Sequence, residues 1–165
     1  MWSRGRNGIG RSDEIGRVYS EFGGELWRAM LVVVGGRGDL ADEVVAEAFS
    51  RLLARWDNVR SPRPWLYRTA YRLAVDELRR TRRDESAAIE DIPASDRHQL
   101  LSDDLIVLLK ELSPEQRLTV FLHYQADLSI ADTAELTGAT VATVRVRLHR
   151  ARRVLRRRLE EETHV

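Results

Sequence analysis

Residues 129–159 read SIADTAELTGATVATVRVRLHRARRVLRRRL, two helical periods separated by one break. Ser129 is placed to cap a short helix whose apolar positions are Ile130, Ala131, Ala134 and Leu136. Thr137-Gly138 interrupts it, and Thr140 is placed to cap a second helix. Laid out at about 100° per residue, Val141, Val144, Leu148, Ala151, Leu155 and Leu159 share one side of that second helix. Ala142, Thr143, Val146, Arg150, Arg153 and Arg157 occupy the other, with Arg145, Arg147 and Arg152 on the flanks. Between Val141 and Leu159 there are eight arginines and no acid. A short helix, a tight turn with glycine and a second, basic helix form a helix-turn-helix, whose second member enters a DNA major groove. Its first turns are small or apolar on the outer side, which allows close approach. Arginine can then pair with guanine O6 and N7, and Val146 can touch a thymine methyl. The competing reading is a solvated basic face on a packing helix.

The rest of the chain is also helical in period, and no segment reads as a strand. With 165 residues, 43% of them hydrophobic, it can bury two small cores. Residues 1–11 are rich in glycine and arginine without a period and are expected to form a disordered tail. A first helix starts near Ser12, carrying Ile15, Val18, Tyr19, Phe22, Leu26, Met30 and Val33 at helical spacing, and stops at the glycines of 35–38. A second, about 39–56, turns Ala41, Val44, Val45, Ala48, Phe49, Leu52 and Trp56 inward and presents an acidic outer side with Asp39, Glu43 and Glu47. Residues 57–64, with two prolines, read as a loop. A third helix, about 65–80, buries Leu66, Ala70, Leu73, Ala74 and Leu78. Its opposite face sets Trp65 among Arg68, Arg72 and Arg79, with Tyr71 at the edge. A flat ring beside cations suits single-stranded nucleic acid, which stacks its bases and trails its phosphates. A local plug, with Trp65 folded onto the proline loop, is the alternative. Residues 84–104 hold seven acids against one arginine and read as a flexible acidic linker. Its carboxylates can compete with phosphate for the arginines of the last helix. Helical spacing resumes at Leu105, and Ser113-Pro114-Glu115 marks a helix start.

Composition excludes several classes. Cysteine is absent and the four histidines are scattered, so disulfides, thiolate metal sites and a histidine cluster are not expected. No nucleophile–base pair or glycine-rich phosphate loop is visible, so the chain is not read as an enzyme and no cofactor is expected. The net charge of +1 says nothing about nucleic acid, because the charges are segregated along the chain. The apolar run 30–34 is too short to span a bilayer and the N-terminus lacks the apolar segment of a secretory signal, so a cytoplasmic protein is expected.

Three stretches in order, ADEVVAEAFSRLLARW, RPWLYRTAYRLAVDELRR and LSPEQRLTVFLHYQADLSIADTAELTGATVATVRVRLHRAR, resemble regions 2 and 4 of bacterial RNA polymerase sigma factors of the extracytoplasmic-function type. The resemblance implies an all-α protein of two small domains, region 2 at 12–83 and region 4 at 105–161, joined by the linker. It implies that Asp42, Glu43 and Glu47 dock on the clamp helices of the polymerase largest subunit. Region 2 would melt the minus-10 promoter element, with the loop 57–64, including Asn58 and Val59, capturing a flipped base. Trp65, Arg68, Tyr71 and Arg72 would hold the non-template strand. Region 4 would contact the flap of the second-largest subunit and read the minus-35 duplex through Thr143, Arg145, Val146, Arg147, Arg150 and Arg153. An anti-sigma protein is a common partner in the family, although no residue here marks one. Three positions depart from the family pattern: Ala46 replaces a usual glutamine, Arg72 an asparagine and Val146 a serine. Two other functions remain open on the residues alone. A free-standing helix-turn-helix regulator leaves the Trp65 face and the acidic second helix without a role. A helical adaptor that reads no DNA would not need Arg145, Arg147 and Arg150.

Overall fold

The computed structural model describes residues 4–84 and 103–164, all of whose regular elements are helical. Region 2 consists of α1 (Arg4–Val33), α2 (Gly38–Arg55), a 3-10 turn (Trp56–Asn58) and α3 (Pro62–Asp84). Region 4 consists of α4 (Asp103–Leu109), α5 (Pro114–Val120), a π turn (Phe121–Gln125), α6 (Ile130–Thr137) and α7 (Val141–Thr163). Of the acidic linker expected at 84–104, residues 85–102 lie outside the described residues, whereas Asp84 ends α3 and Asp103 and Asp104 open α4 as helix.

Most of the apolar stripes read from periodicity form the core, although Tyr19 is exposed and Leu73 and Leu78 are half-buried. Leu26, Met30, Ala41, Ala48, Leu52, Leu66, Ala70 and Ala74 are at most 1% exposed. Within this core Glu25 Oε1 accepts from Arg63 Nη2 at 2.6 Å and from Tyr67 Oη at 2.7 Å. That pairing satisfies a carboxylate at the helix junction, where an unpaired polar group would be costly. Burial, reinforced by the Glu25 carboxylate, pushes the Tyr67 phenol well above its ordinary range, so it stays a neutral donor.

Two boundaries differ from the sequence reading. The segment expected as a disordered tail up to Arg11 is helical from Arg4 onward. Adding turns to an existing helix is far easier than nucleating one, and Arg11 is tied to Asp57 by an ion pair of 2.5 Å. The proline loop is also shorter than expected, since α3 starts at Pro62 rather than Trp65. A proline in a first helical turn forfeits no hydrogen bond, and Trp65 N already donates to Ser61 O at 3.3 Å.

The larger difference concerns the two cores. Residues of region 2 and of region 4, among them Ile106, Leu109, Leu118, Phe121, Leu122 and Leu136, belong to one continuous apolar cluster. Among the described residues, Ala134, Val144 and Leu148 form a separate knot inside the helix-turn-helix. The modules are thus two in helix order but packed against each other. Gly36, between α1 and α2, makes this possible: its φ is +88°, and a Cβ there would lie 2.9 Å from Ile106 Cγ2 of α4. No helix among the described residues is long and apolar enough to cross a membrane.

Candidate nucleic-acid interface

The helix-turn-helix is built by caps. Ser129 Oγ accepts from Asp132 N at 3.0 Å and starts α6. Thr140 Oγ1 accepts from Thr143 N at 3.1 Å and starts α7. Between them Gly138 closes α6 in the left-handed conformation, φ 70°. One helix earlier, Ser113 and Gln116 form a reciprocal capping box around Pro114. Each cap satisfies backbone donors that the first turn leaves unpaired. The sequence signals the following π turn less clearly. Ala126 N reaches Phe121 O at 3.0 Å, and His123 Nδ1 lies 2.8 Å from Leu128 O, turning the chain toward α6.

With α7 so placed, Val144, Leu148 and Ala151 are fully buried while Val146 keeps 47% of its surface exposed. Arg145, Arg150 and Arg153 are exposed on the same outer side. Thr143 is half-buried, its hydroxyl 2.8 Å from that of Thr140. Arg147 is half-buried as well, and its charge acts on Tyr71 of α3 and on Glu115 of α5. Among the described residues the ion pairs of α7 lie at its far end, where Arg158 meets Glu161 at 3.6 Å and Glu162 at 3.8 Å. The ends of the apolar stripe are more open than the periodicity suggests, with Val141 38% and Leu159 51% exposed.

The α3 face is different. Arg72 is exposed as read, whereas Trp65 is half-buried and packed against the core instead of standing open on a solvent face. Its ring is too large to leave fully in water when apolar neighbours are at hand. Tyr71 is half-buried, and its hydroxyl is buried without a hydrogen bond of normal geometry. Desolvation, with the Glu115 carboxylate close by, raises the phenol above its usual range. Burial alone would raise Glu115, but its own backbone N–H and the nearby hydroxyls of Tyr71 and Ser113 outweigh that and hold the carboxyl below the usual range. Arg68 is turned toward region 4: its Nη2 donates to Glu135 O at the end of α6, at 2.6 Å. Asn58 is exposed and Val59 half-buried after the 3-10 turn. That turn is braced by α1, through Arg11–Asp57 and through Trp56 Nε1 donating to Glu14 Oε2 at 2.7 Å.

On α2, Asp42, Glu43 and Glu47 are all exposed along one outer side. Trp27 Nε1 donates to Asp42 Oδ1 at 2.8 Å, and Arg51 Nε pairs with Glu47 Oε1 at 2.7 Å. Sequence reasoning missed one residue that organises the whole arrangement. Arg117 of α5 donates to Val33 O at 2.6 Å, to Leu112 O at 3.0 Å and to Leu109 O at 3.1 Å, joining the carbonyl ends of α1 and α4. A lone arginine on a short helix carries no pattern that marks such a role.

Residues 18–84 match the Sigma-70 region 2 family and residues 102–155 match Sigma-70, region 4. The ECF RNA polymerase sigma factor SigL of Mycobacterium tuberculosis is 32% identical over 159 residues, covering 87% of this chain and 88% of that protein. The chain belongs to the extracytoplasmic-function sigma factors. RNA polymerase sigma factor SigV of Bacillus subtilis is 28% identical over 144 residues, covering 84% of this chain and 86% of SigV. In fold, this sigma factor is similar to RpoE of Bartonella quintana, solved with the anti-sigma factor NepR. That likeness has a TM-score of 0.70 at 21% identity, over 89% of this chain and 97% of the other. CnrH, solved with the cytosolic domain of CnrY, aligns at a TM-score of 0.68 and 23% identity, over 94% of each chain. This sigma factor directs RNA polymerase in transcription initiation, is not an enzyme, and has the polymerase core as its partner.

Proposed function

We propose that this sigma factor divides promoter recognition between its modules. Region 4 reads the minus-35 element as duplex, with Arg145, Val146 and Arg150 at base edges and Thr143, Arg147 and Arg153 toward the phosphates. Region 2 melts the minus-10 element. Asn58 and Val59 receive a flipped base, Trp65 and Tyr71 supply rings, and Arg68 and Arg72 follow the strand. Asp42, Glu43 and Glu47 dock on the clamp helices of the largest subunit, and region 4 also meets the flap of the second-largest. An anti-sigma protein is a further partner, as it is for the similar RpoE and CnrH. Valine at position 146 replaces a hydroxyl contact with an apolar one, which favours a thymine methyl or a sugar. Arginine at 72 makes strand capture lean on charge, and alanine at 46 removes one polar group from the docking side.

One observation carries this reading. The α7 turn from Arg145 to Arg150 presents Arg145, Arg150 and an open Val146 outward while Val144 and Leu148 lock the helix to α6 from within. That is the geometry a groove-reading helix needs. Transcription in vitro with purified core polymerase, run across fragments of the native genome, tests it and yields the promoter. Start sites preceded by no shared pair of elements, or transcription unaffected when Arg145, Arg147 and Arg150 are all alanine, overturn it.

A further inference from the structure

We propose that Arg11 and Glu14 of α1 are positioning residues for the minus-10 contact: they hold the loop at Asn58 and Val59 in the register that discriminates the captured base. The proposal rests on the reading of that loop as the base-receiving one. It goes further in naming what sets the loop in place, on two residues that precede the stretch 18–84 matched to region 2.

The receiving residues follow a turn that depends on its neighbours. Trp56–Asn58 is a single 3-10 turn, and no side-chain cap starts it. The bond that closes it, from Val59 N to Trp56 O, is 3.2 Å long, and hydrogen bonds of this helix type have poor geometry. Support comes from α1. Glu14 Oε2 accepts from Trp56 Nε1 at 2.7 Å, and Arg11 Nη2 donates to Asp57 Oδ2. Trp56 and Asp57 are the two residues immediately before Asn58. The far end of the loop is held by the same helix: Glu25 accepts from Arg63 and Tyr67, and the Arg63 guanidinium lies 5.3 Å from the centre of the Phe22 ring. At about 100° per residue, Arg11, Glu14, Phe22 and Glu25 fall within about 80° of one another around α1. One side of a single helix therefore grips the loop at both ends.

The two grips differ in kind. The Arg63 and Glu25 side chains keep only 30% and 26% of their surface, and Tyr67 beside them is buried, so that grip belongs to the core. The Arg11–Asp57 pair is more open, at 31% and 73%, and Glu14 is exposed. Contacts of that sort add little to global stability. Their loss leaves the helices in place and moves the loop. A preferred base is recognised by the fraction of molecules whose loop is in register, whereas a base that the loop rejects gains nothing from it. Lowering that fraction weakens the preferred base and spares the others, so the preference falls by the same factor. Each exposed contact is worth at most about fivefold, and the two together about tenfold.

The test is the full chain with Arg11→Ala and Glu14→Ala together, assembled with core polymerase. The probe is a fork-junction DNA carrying the minus-10 element found by transcription, with each of the four bases in turn at each non-template position; binding is read by anisotropy. Asn58→Ala, measured in parallel, identifies the position that the loop reads. At that position the double variant should lose about tenfold in base preference, with every other position changed by less than about twofold. Arg11→Lys with Glu14→Gln, which keeps a donor and an acceptor in place, should stay within about twofold of wild type throughout. An equal loss at all positions, as a merely structural role would give, overturns the proposal. Unchanged preference at the position that Asn58→Ala disturbs overturns it too, as does a conservative pair that loses as much as the alanine pair. Should the double variant not fold, as judged by circular dichroism, Arg11→Ala alone takes its place under the same criteria, with about fivefold expected. If Asn58→Ala disturbs no position, the reading of the loop has failed and the proposal falls with it, a result distinct from a loop that reads a base without help from α1.

Discussion

Helices α3 and α7 are each 23 residues long and are built to one recipe, an apolar stripe opposite a row of arginines. Their surroundings make them different surfaces. The outer turn of α7 meets solvent, and its arginines there stand clear of carboxylates among the described residues. The equivalent side of α3 is met in part by region 4, with Arg68 bound to a backbone carbonyl and Tyr71 beside Glu115, while Arg68 and Arg72 keep exposed surface. A basic face deduced from periodicity is thus a capacity. Whether it is available depends on what the rest of the chain packs over it.

The contrast can be broken most severely from within α7. Leu148→Ala should cost about 2–5 kcal/mol by emptying a fully buried site, measurable by thermal denaturation, with loss of duplex binding as α7 unseats. Next come the surface contacts. Arg150→Ala should cost about 1–3 kcal/mol at one promoter position if it meets a base edge, read by binding to a set of single-base variants; a uniform loss would reassign it to a phosphate. Trp65→Ala should cost about 1–3 kcal/mol of stacking. It should impair promoter opening, followed by permanganate reactivity of unpaired thymines, far more than closed-complex formation. Ser129→Ala should remove about 1 kcal/mol by leaving the first turn of α6 uncapped, visible as a lowered denaturation midpoint with promoter preference unchanged.

The smallest effect sharpens the comparison through pH. Glu115 has its folded pKa held below the ordinary value, so its contribution is fully present above about pH 4.3 and is lost as pH falls through the lower folded value. Acidification below pH 4.3 should loosen the contact between α5 and α3 in wild type. Glu115→Gln, which cannot titrate, should flatten that part of the stability–pH curve.

Local features were legible in residue order. The stripe of α2, the caps Ser113, Ser129 and Thr140, the turn at Gly138 and the outward set on α7 all follow from interactions that span three or four positions along the chain, which a sequence displays directly. The start of α1 and of α3 were misplaced because ties such as Arg11–Asp57, and the tolerance of a first helical turn for proline, outweighed the breaker signal of glycine and proline. Exposure of Trp65 was misjudged for a related reason: a helical wheel ranks faces but does not know which neighbours cover them.

Residue order alone determined that the chain is helical throughout its two modules, where the recognition helix begins, and which side of it faces outward. Tertiary structure alone decided that the modules close on each other. The bonds that do this join residues 67 apart for Arg68–Glu135 and 84 apart for Arg117–Val33, and both end on backbone carbonyls. A carbonyl is the same at every residue, so nothing in the sequence marks it as a partner; only folding, by bringing helix ends together, selects which one an arginine meets.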